Sequence, residues 1–225
     1  MRAMIDLTIM LPIRLAVIEI DGVRVNDDGT GFERLDACAQ AIRARCRSIG
    51  ATSPSEVDGV QIARELFRSL GIDPTKRRPS SEALLKRVLS GKPMPRVNTL
   101  VDVGNWCSLD FLLPLGLYDA ERIVGAVSLR RGEPGDGYEA IGDKIMNLEG
   151  RYLLADADGP FGSPITDSRR TAVNENTTRS AVFLYAPIEY DESRLDAQAH
   201  TMAERIVDIC SGNAIRIELF AGATT

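Results

Sequence analysis

The stretch VNTLVDVGNWCSLDFLLPLGLYD, residues 97–119, decides how this chain is read. It is apolar along most of its length, yet it carries Asn98, Asp102 and Asn105 at intervals of four and three. In a helix those side chains return to one face, because a 3.6-residue turn brings i, i+4 and i+7 together. A polar stripe on an apolar helix has two uses. It satisfies backbone groups near the helix start, or it faces something outside the core.

Outward from this segment, strands and helices alternate. Residues 7–10 and 15–20 alternate or run apolar as strands do, and Asn26-Asp-Asp-Gly29 is a turn cluster. Helices are expected over 32–48, stopped by Gly50, and over 53–70, where Ser53-Pro-Ser-Glu56 is a start signal and Gly71 a stop. In RRPSSEALLKRVLSG, residues 77–91, Pro79 suits the first helical turn and Glu82 its positive end. Leu84, Leu85, Val88 and Leu89 form one apolar stripe there, with Lys86 and Arg87 turned away. After Ile123 come the short strands IVGAVSLR, GYEAI, KIMNL and RYLLADAD, with turn signals at 133–137 and 156–159 marking hairpin connections. Residues 159–173, GPFGSPITDSRRTAV, read as a loop, 180–186 as a strand, 192–210 as a long amphipathic helix and 214–220 as a closing strand. No repeat or low-complexity linker divides the chain, so residues 1–225 are read as a single globular domain. Its class is α/β (α+β-like), a mixed, largely antiparallel sheet flanked by helices.

Composition narrows the function. With 225 residues, 44% of them hydrophobic, the chain can bury a sizeable core. No apolar run approaches the roughly 20 residues of a membrane span; residues 9–20 are interrupted by Pro12, Arg14 and Glu19. With no secretory pattern either, a cytoplasmic location is expected and no membrane partner. Cys38, Cys46, Cys107 and Cys210 form no CxxC pair and read as free thiols. A net charge of −5 argues against a nucleic-acid binder held by its overall field, and DNA is not expected as a partner. Residues 64–96 nevertheless hold nine basic residues against three acidic ones. That local excess suits a phosphate-bearing partner contacted at one face, or simply the solvated faces of two surface helices.

Several chemistries are poorly supported. The single histidine, His200, lies within the C-terminal helix, which removes conventional Ser-His-Asp or Cys-His machinery. The glycines around 132–137 lack the following Lys-Ser/Thr of a P-loop, and no GxGxxG follows a strand. No acidic pattern typical of a metal site is present; Asp156 and Asp158 are turn formers. Cys107, beside Trp106 in an apolar helix, reads as packing. No cofactor and no metal are implied.

The residues then carry a resemblance. The Asn98-x-x-x-Asp102-x-x-Asn105 helix is followed by a turn at Pro114-Leu-Gly-Leu-Tyr-Asp119, an Ile123-x-Gly125 strand entry and a hairpin from Gly137 to the Ile141-Gly142 pair. Further on come the aspartate before Gly159 and Ala172-Val-Asn-Glu-Asn-Thr177 ahead of a hydrophobic strand. Over roughly residues 76–187 this resembles the tRNA-binding and editing domain formed by the third and fourth modules of the phenylalanyl-tRNA synthetase beta subunit. Without a synthetase core, the chain is similar to free-standing relatives of that domain, which carry RRPSSEALL-like and SPxxDSxRT-like segments. The resemblance implies an α/β fold and a pocket that hydrolyses the ester of mischarged aminoacyl-tRNA, acting in trans. Aminoacylated tRNA would be the partner. Two positions depart from the synthetase pattern: its Pro-Leu-His-Ala-Phe-Asp turn has Gly116 at the histidine, and Arg169 stands where the editing glutamate is expected.

An aminoacyl ester is already activated, so placing one water and stabilising an oxyanion can suffice. Arg169, Thr171 and Asp167 are the catalytic candidates: Arg169 or Arg170 to hold the carbonyl oxygen or a phosphate, Thr171 and Ser163 to orient water, Asp167 to meet the α-ammonium group. The competing expectation is an ion pair between Asp167 and Arg169 or Arg170 that only shapes the loop. Asn98, Asn105, Gly116, Ser163 and Arg170 are expected at the substrate, with backbone satisfaction as the alternative role for Asn98 and Asp102. Arg77, Arg78, Lys86 and Arg87 are expected to face tRNA. Three functions follow: a trans-acting deacylase, a non-catalytic tRNA or aminoacyl-end binding module, or a small-molecule enzyme or binder reusing the pocket.

Overall fold

In the computed structural model, which describes residues 5–142 and 144–222, the chain runs β1 (Leu7–Ile9), β2 (Ile13–Asp21), α1 (Thr30–Ser48), α2 (Val60–Ser69), α3 (Ser80–Leu89), α4 (Thr99–Phe111) and β3 (Leu115–Asp119). It continues through β4 (Val127–Arg131), β5 (Gly137–Ala140), β6 (Lys144–Asn147), β7 (Tyr152–Asp156), β8 (Gly159–Gly162), β9 (Arg179–Pro187), α5 (Glu192–Cys210) and β10 (Asn213–Ala221). The ends of the anticipated 1–225 unit, residues 1–4 and 223–225, and residue 143 lie outside the described residues. Among those described, no helix is long and apolar enough to cross a membrane.

IRLAVIEID in β2 and RSAVFLYAP in β9 are apolar runs rather than alternating strands, because both faces of each are covered. They pair antiparallel at the centre of a sheet ordered β10-β2-β9-β3. Ile13, Leu15 and Val17 of β2 and Ala181, Phe183 and Tyr185 of β9 face a second sheet, ordered β1-β4-β7-β8, in which only β1 and β4 are parallel. Ala16, Ile18, Ile20, Val182 and Leu184 face α4 and α5 on the other side. α1 and α3 then cover the outer side of α4 through Leu35, Leu85, Val88 and Leu109. The mixed, largely antiparallel α/β architecture is as expected.

Between the sheets, Tyr118 meets Phe161 and Phe183 edge to face, with ring centroids 5.0 and 5.6 Å apart. Charge is buried there too. Glu19 of β2, fully buried, accepts the Arg179 guanidinium at 2.5 Å, Arg216 at 3.3 Å and the Ile5 amide at 2.9 Å. Three donors offset the desolvation of that carboxylate.

Local differences from the expectations have identifiable causes. The helix anticipated over 53–70 is split: Pro54–Glu56 form a single 3-10 turn, Val57 is extended, and Gly59 at φ +93° restarts the chain as α2. The segment read as a turn at 114–119 is strand β3, and the first four residues of the 159–173 loop are strand β8, paired with β7. The turn at 133–137 joins strands that are not paired to each other, since β4 pairs with β1 and β7 while β5 pairs with β6; the 156–159 turn does close a hairpin.

Replacing Arg179 by Met leaves Glu19 with a reduced set of donors in a dry interior. The expected cost is about 3–5 kcal/mol, read from urea unfolding; a loss under about 1 kcal/mol would contradict the account of that cluster.

Candidate functional site

α4 packs on β3 at Gly104, where an added Cβ would stand 3.3 Å from Leu117 Cδ2 and require that side chain to give by a few tenths of an ångström. Asn98 caps the helix, its side chain accepting from the Val101 amide at 2.9 Å, and Asp102 accepts from the Val97 amide at 3.0 Å. Both polar groups are therefore spent on the helix start. Asn105, one turn further on, lies on the wall of a cleft of about 450 Å³ bounded by α4, β3 and the segment that follows β8. Val101 and Gly104 line it from α4, Leu115 and Leu117 from β3, and Val173 from the far wall. The Asn105 side chain makes no hydrogen bond among the described residues.

The polar edge of the cleft is the segment Asp167–Arg169. It is held by β5, whose Glu139 carbonyl accepts from the Arg169 amide at 2.9 Å, while the Ile141 amide donates to the Asp167 carbonyl at 3.1 Å. These bonds bring the β5–β6 hairpin tip over the mouth, where Ile141 stays 58% exposed beside Val97 at 53%. A half-open apolar rim results.

Asp167 is the chemically distinctive residue. The Tyr118 hydroxyl donates to its Oδ1 at 2.5 Å. Burial pushes its carboxyl up to about 7, against the pull of that bond and of the Ser163 and Leu117 amides. The anticipated ion pair with an arginine is absent: Arg169 pairs with Glu139 at 3.0 Å, and Arg170 grips Asp156 at 2.8 and 3.0 Å. With no ion pair to a cation among the described residues, Asp167 is divided between its two protonation states near neutrality.

Of the other anticipated site residues, Arg169 lines the cleft mouth with its side chain about half exposed. Arg170 is turned to the β7–β8 turn and fixes Asp156 rather than facing the cleft. Thr171 is fully buried, its hydroxyl placed between Ser168 Oγ at 3.3 Å and the Phe161 carbonyl at 3.4 Å, so it does not reach water in the cleft. Ser163 is also buried, donating to the Thr166 carbonyl at 2.8 Å and accepting from Tyr138 at 3.1 Å. Gly116 faces the space between the sheets, where a Cβ would stand 2.2 Å from Tyr118 Oη, so no histidine fits there beside this tyrosine. Cys107 is buried, its thiol pushed up to about 12 by desolvation, which leaves no thiolate for catalysis. His200 is exposed next to Asp196.

The four basic residues expected to face tRNA are unequal. Arg78 bonds buried Glu82 at 3.1 Å, which Arg64 also holds with two nitrogens, and Arg87 donates to the Pro93 carbonyl. Lys86 is exposed on α3, and Arg77 stands with Lys144 beside the hairpin tip, in a shallow groove that shares Ile141 and Gly142 with the cleft. Sequence reasoning missed Tyr118 altogether. The available signal was the alternation in LGLYD, which turns Gly116 and Tyr118 away from Leu115 and Leu117.

The raised Asp167 carboxyl has a consequence for stability. A folded value above the ordinary 3.8 means that its protonated form favours folding, so its contribution is full below pH 4 and is lost as pH rises through about 7. The variant Asp167→Asn keeps an acceptor for Tyr118 and escapes that loss. Its melting temperature relative to the native chain is expected to rise between about pH 5 and pH 8; a difference that stays flat across that range would contradict the assignment.

The B3/4 domain family matches residues 62–212, beyond both ends of the 76–187 segment. The chain is 31% identical over 137 residues to the phenylalanine–tRNA ligase beta subunit of Bartonella quintana, covering 60% of this chain and 16% of that protein. It is 32% identical over 105 residues to the same subunit of Nitrobacter winogradskyi, covering 46% and 13%. For Streptomyces avermitilis the identity is 29% over 137 residues, covering 59% and 16%. The chain thus spans under a fifth of the length of these relatives. A crystal structure of an N-terminal fragment of the phenylalanyl-tRNA synthetase beta subunit from Pyrococcus horikoshii aligns with a TM-score of 0.46 at 12% identity, over 95% of this chain and 52% of that one. With a family match over more than half its length, the chain belongs to the B3/4 domain family and is a relative of that domain of the phenylalanyl-tRNA synthetase beta subunit.

Proposed function

We propose that this protein edits in trans, hydrolysing the ester that joins a misattached amino acid to the terminal ribose of a tRNA. The observation that carries this reading is the meeting, in one apolar cleft of a B3/4 domain, of a carboxyl that titrates near neutrality and a carboxamide that bonds to none of the described residues. The relatives are subunits of phenylalanine–tRNA ligases, which supports tRNA as the partner.

In this reading the amino-acid side chain enters between Leu115, Leu117 and Val101, where burial of apolar surface favours it by about 25 cal/mol per Å². Asn105 offers its NH₂ to the ester carbonyl, on which negative charge grows as the tetrahedral intermediate forms. The ionised Asp167 takes a proton from a water whose oxygen attacks the carbonyl carbon. As the intermediate collapses, the carbon–oxygen bond to the ribose breaks and the leaving oxygen takes that proton from Asp167. Free amino acid and uncharged tRNA leave. Arg169 at the mouth, with Arg77, Lys144 and Lys86 outside it, meets phosphates of the acceptor end; Arg78, Arg87 and Arg170 serve the fold.

The test is deacylation of a panel of correctly and incorrectly charged tRNAs. Asn105→Ala is expected to lower turnover by about 10²-fold or more. Arg77→Glu with Lys86→Glu is expected to weaken tRNA binding and flatten its salt dependence by roughly 0.7 to 0.9 per lost phosphate contact, with single-turnover chemistry little changed. Salt-sensitive tRNA binding without hydrolysis of any charged tRNA would refute the enzyme and leave a binding module. Hydrolysis indifferent to Asn105 would move the site.

A further inference from the structure

We infer that Tyr118 is a positioning residue: its hydroxyl, seated between Gly116 and Gly162, holds the Asp167 carboxylate in the orientation from which it accepts a proton from water. The inference rests on the ester-hydrolysis reading above and deepens it.

The geometry is unusually constrained. A Cβ at Gly116 would stand 2.2 Å from Tyr118 Oη, and a Cβ at Gly162 would stand 2.1 Å from it. Neither glycine has a positive φ, so backbone conformation does not demand glycine at these positions. Space for one hydroxyl does. The ring has no rotational freedom to lose, since Tyr118 is fully buried and locked edge to face by Phe161 and Phe183. Its oxygen therefore stands at a fixed point, 2.5 Å from Asp167 Oδ1. A carboxylate side chain on an irregular segment acquires one defined orientation from a donor on a rigid strand, and Asp167 itself reaches the cleft.

Among the described residues, the other ionisable groups on the elements around this pair are neutral or engaged elsewhere. Tyr185 of β9 and Tyr138 of β5 are phenols whose ionisation burial pushes up. Arg169 and Arg170 are drawn to Glu139 and Asp156. On α4, Asp102 serves the Val97 amide and Asp110 pairs with Arg205; on α3, Glu82 is held by Arg64 and Arg78. Tyr118 is thus the side chain that favours the ionised form of Asp167, and it keeps its own proton, since burial and the adjacent carboxylate push its ionisation well up. During turnover the proton travels from water to Asp167 to the ribose oxygen. Tyr118 donates throughout and transfers nothing.

The experiment compares the native chain with Tyr118→Phe in two readouts: the pH dependence of deacylation after subtraction of the uncatalysed rate, and the titration of the Asp167 carboxyl carbon by NMR. Phe keeps the ring, and thermal unfolding checks that packing survives. Loss of the donor is expected to move both midpoints to higher pH. At about pH 6.5 the midpoint shift alone makes the variant roughly tenfold slower for every pH unit by which its midpoint rises, while above about pH 9 that factor vanishes and the remaining deficit reads the lost orientation of the carboxylate. A loss of rate that is uniform at all pH values, with an unmoved NMR midpoint, would overturn the inference. Gly162→Ala, which crowds the hydroxyl without deleting it, is expected to move the NMR midpoint in the same direction. If the native chain hydrolyses no charged tRNA, the reading of the reaction fails; a midpoint that still moves in Tyr118→Phe then preserves the control of Asp167 by Tyr118, and an unmoved one removes both.

Discussion

The site depends on the alternation of side chains along β3. Five residues, Leu115–Asp119, form one edge of a sheet whose two faces have different neighbours. Leu115 and Leu117 face α4 and become the wall of the cleft. Gly116 and Tyr118 face the second sheet, where the tyrosine packs in the core and delivers its hydroxyl to Asp167. A slip of one residue in register would exchange the two sets, leaving an aromatic ring in the cleft and no donor for the carboxylate. Pairing to β9, itself buried along its whole length between β2 and β3, fixes that register.

Around this strand, the remaining elements act on the cleft in separable ways. Gly104 packs closely on Leu117, and Asn98 and Asp102 satisfy the first turn of α4, which leaves Asn105 as the stripe residue that lines the cavity. Among its described residues, the β5–β6 hairpin supplies no acid or base to the cleft wall, but it binds the Asp167–Arg169 backbone and sets an apolar rim. Arg170 and Asp156 tie the far end of the same segment to the β7–β8 turn. Anchored on both sides, the segment presents Asp167 from an irregular backbone with little conformational freedom.

Much of this was legible in the sequence where a period or an apolar run had enough length to speak. The helix expected over 192–210 matches α5, and the two apolar runs emerge as β2 and β9. Short segments were not legible in the same way. Gly and Pro in PLGLYD and GPFG read as turn chemistry, and Gly159 at φ +107° is a turn glycine, but Gly116 of β3 and Gly162 of β8 answer to the crowding around Tyr118 Oη rather than to any φ requirement. The 53–70 helix is interrupted at extended Val57 and restarts after Gly59, whose left-handed conformation propensity alone does not announce. At the site, residue types were read more reliably than their partners. Asp167 and Arg169 do border the cleft, but the arginines expected to pair with Asp167 went instead to Glu139 and Asp156, which lie 30 and 14 positions from them in sequence. Side-chain pairing at that separation is set by strand order, and local spacing carries no record of it.

The central claim is that the cleft between α4 and β3 receives an aminoacyl ester with its side chain inward. The most direct measurement uses an aminoacyl-adenosine in which the scissile ester oxygen is replaced by nitrogen, so that it binds without turnover, with methyl-resolved NMR of the native chain as the readout. The account predicts saturable shifts and ligand contacts at Val101, Leu115, Leu117 and Val173, with adenosine alone shifting none of these methyl groups. Contacts confined to the outer basic face, or the same shifts from adenosine alone, would contradict it.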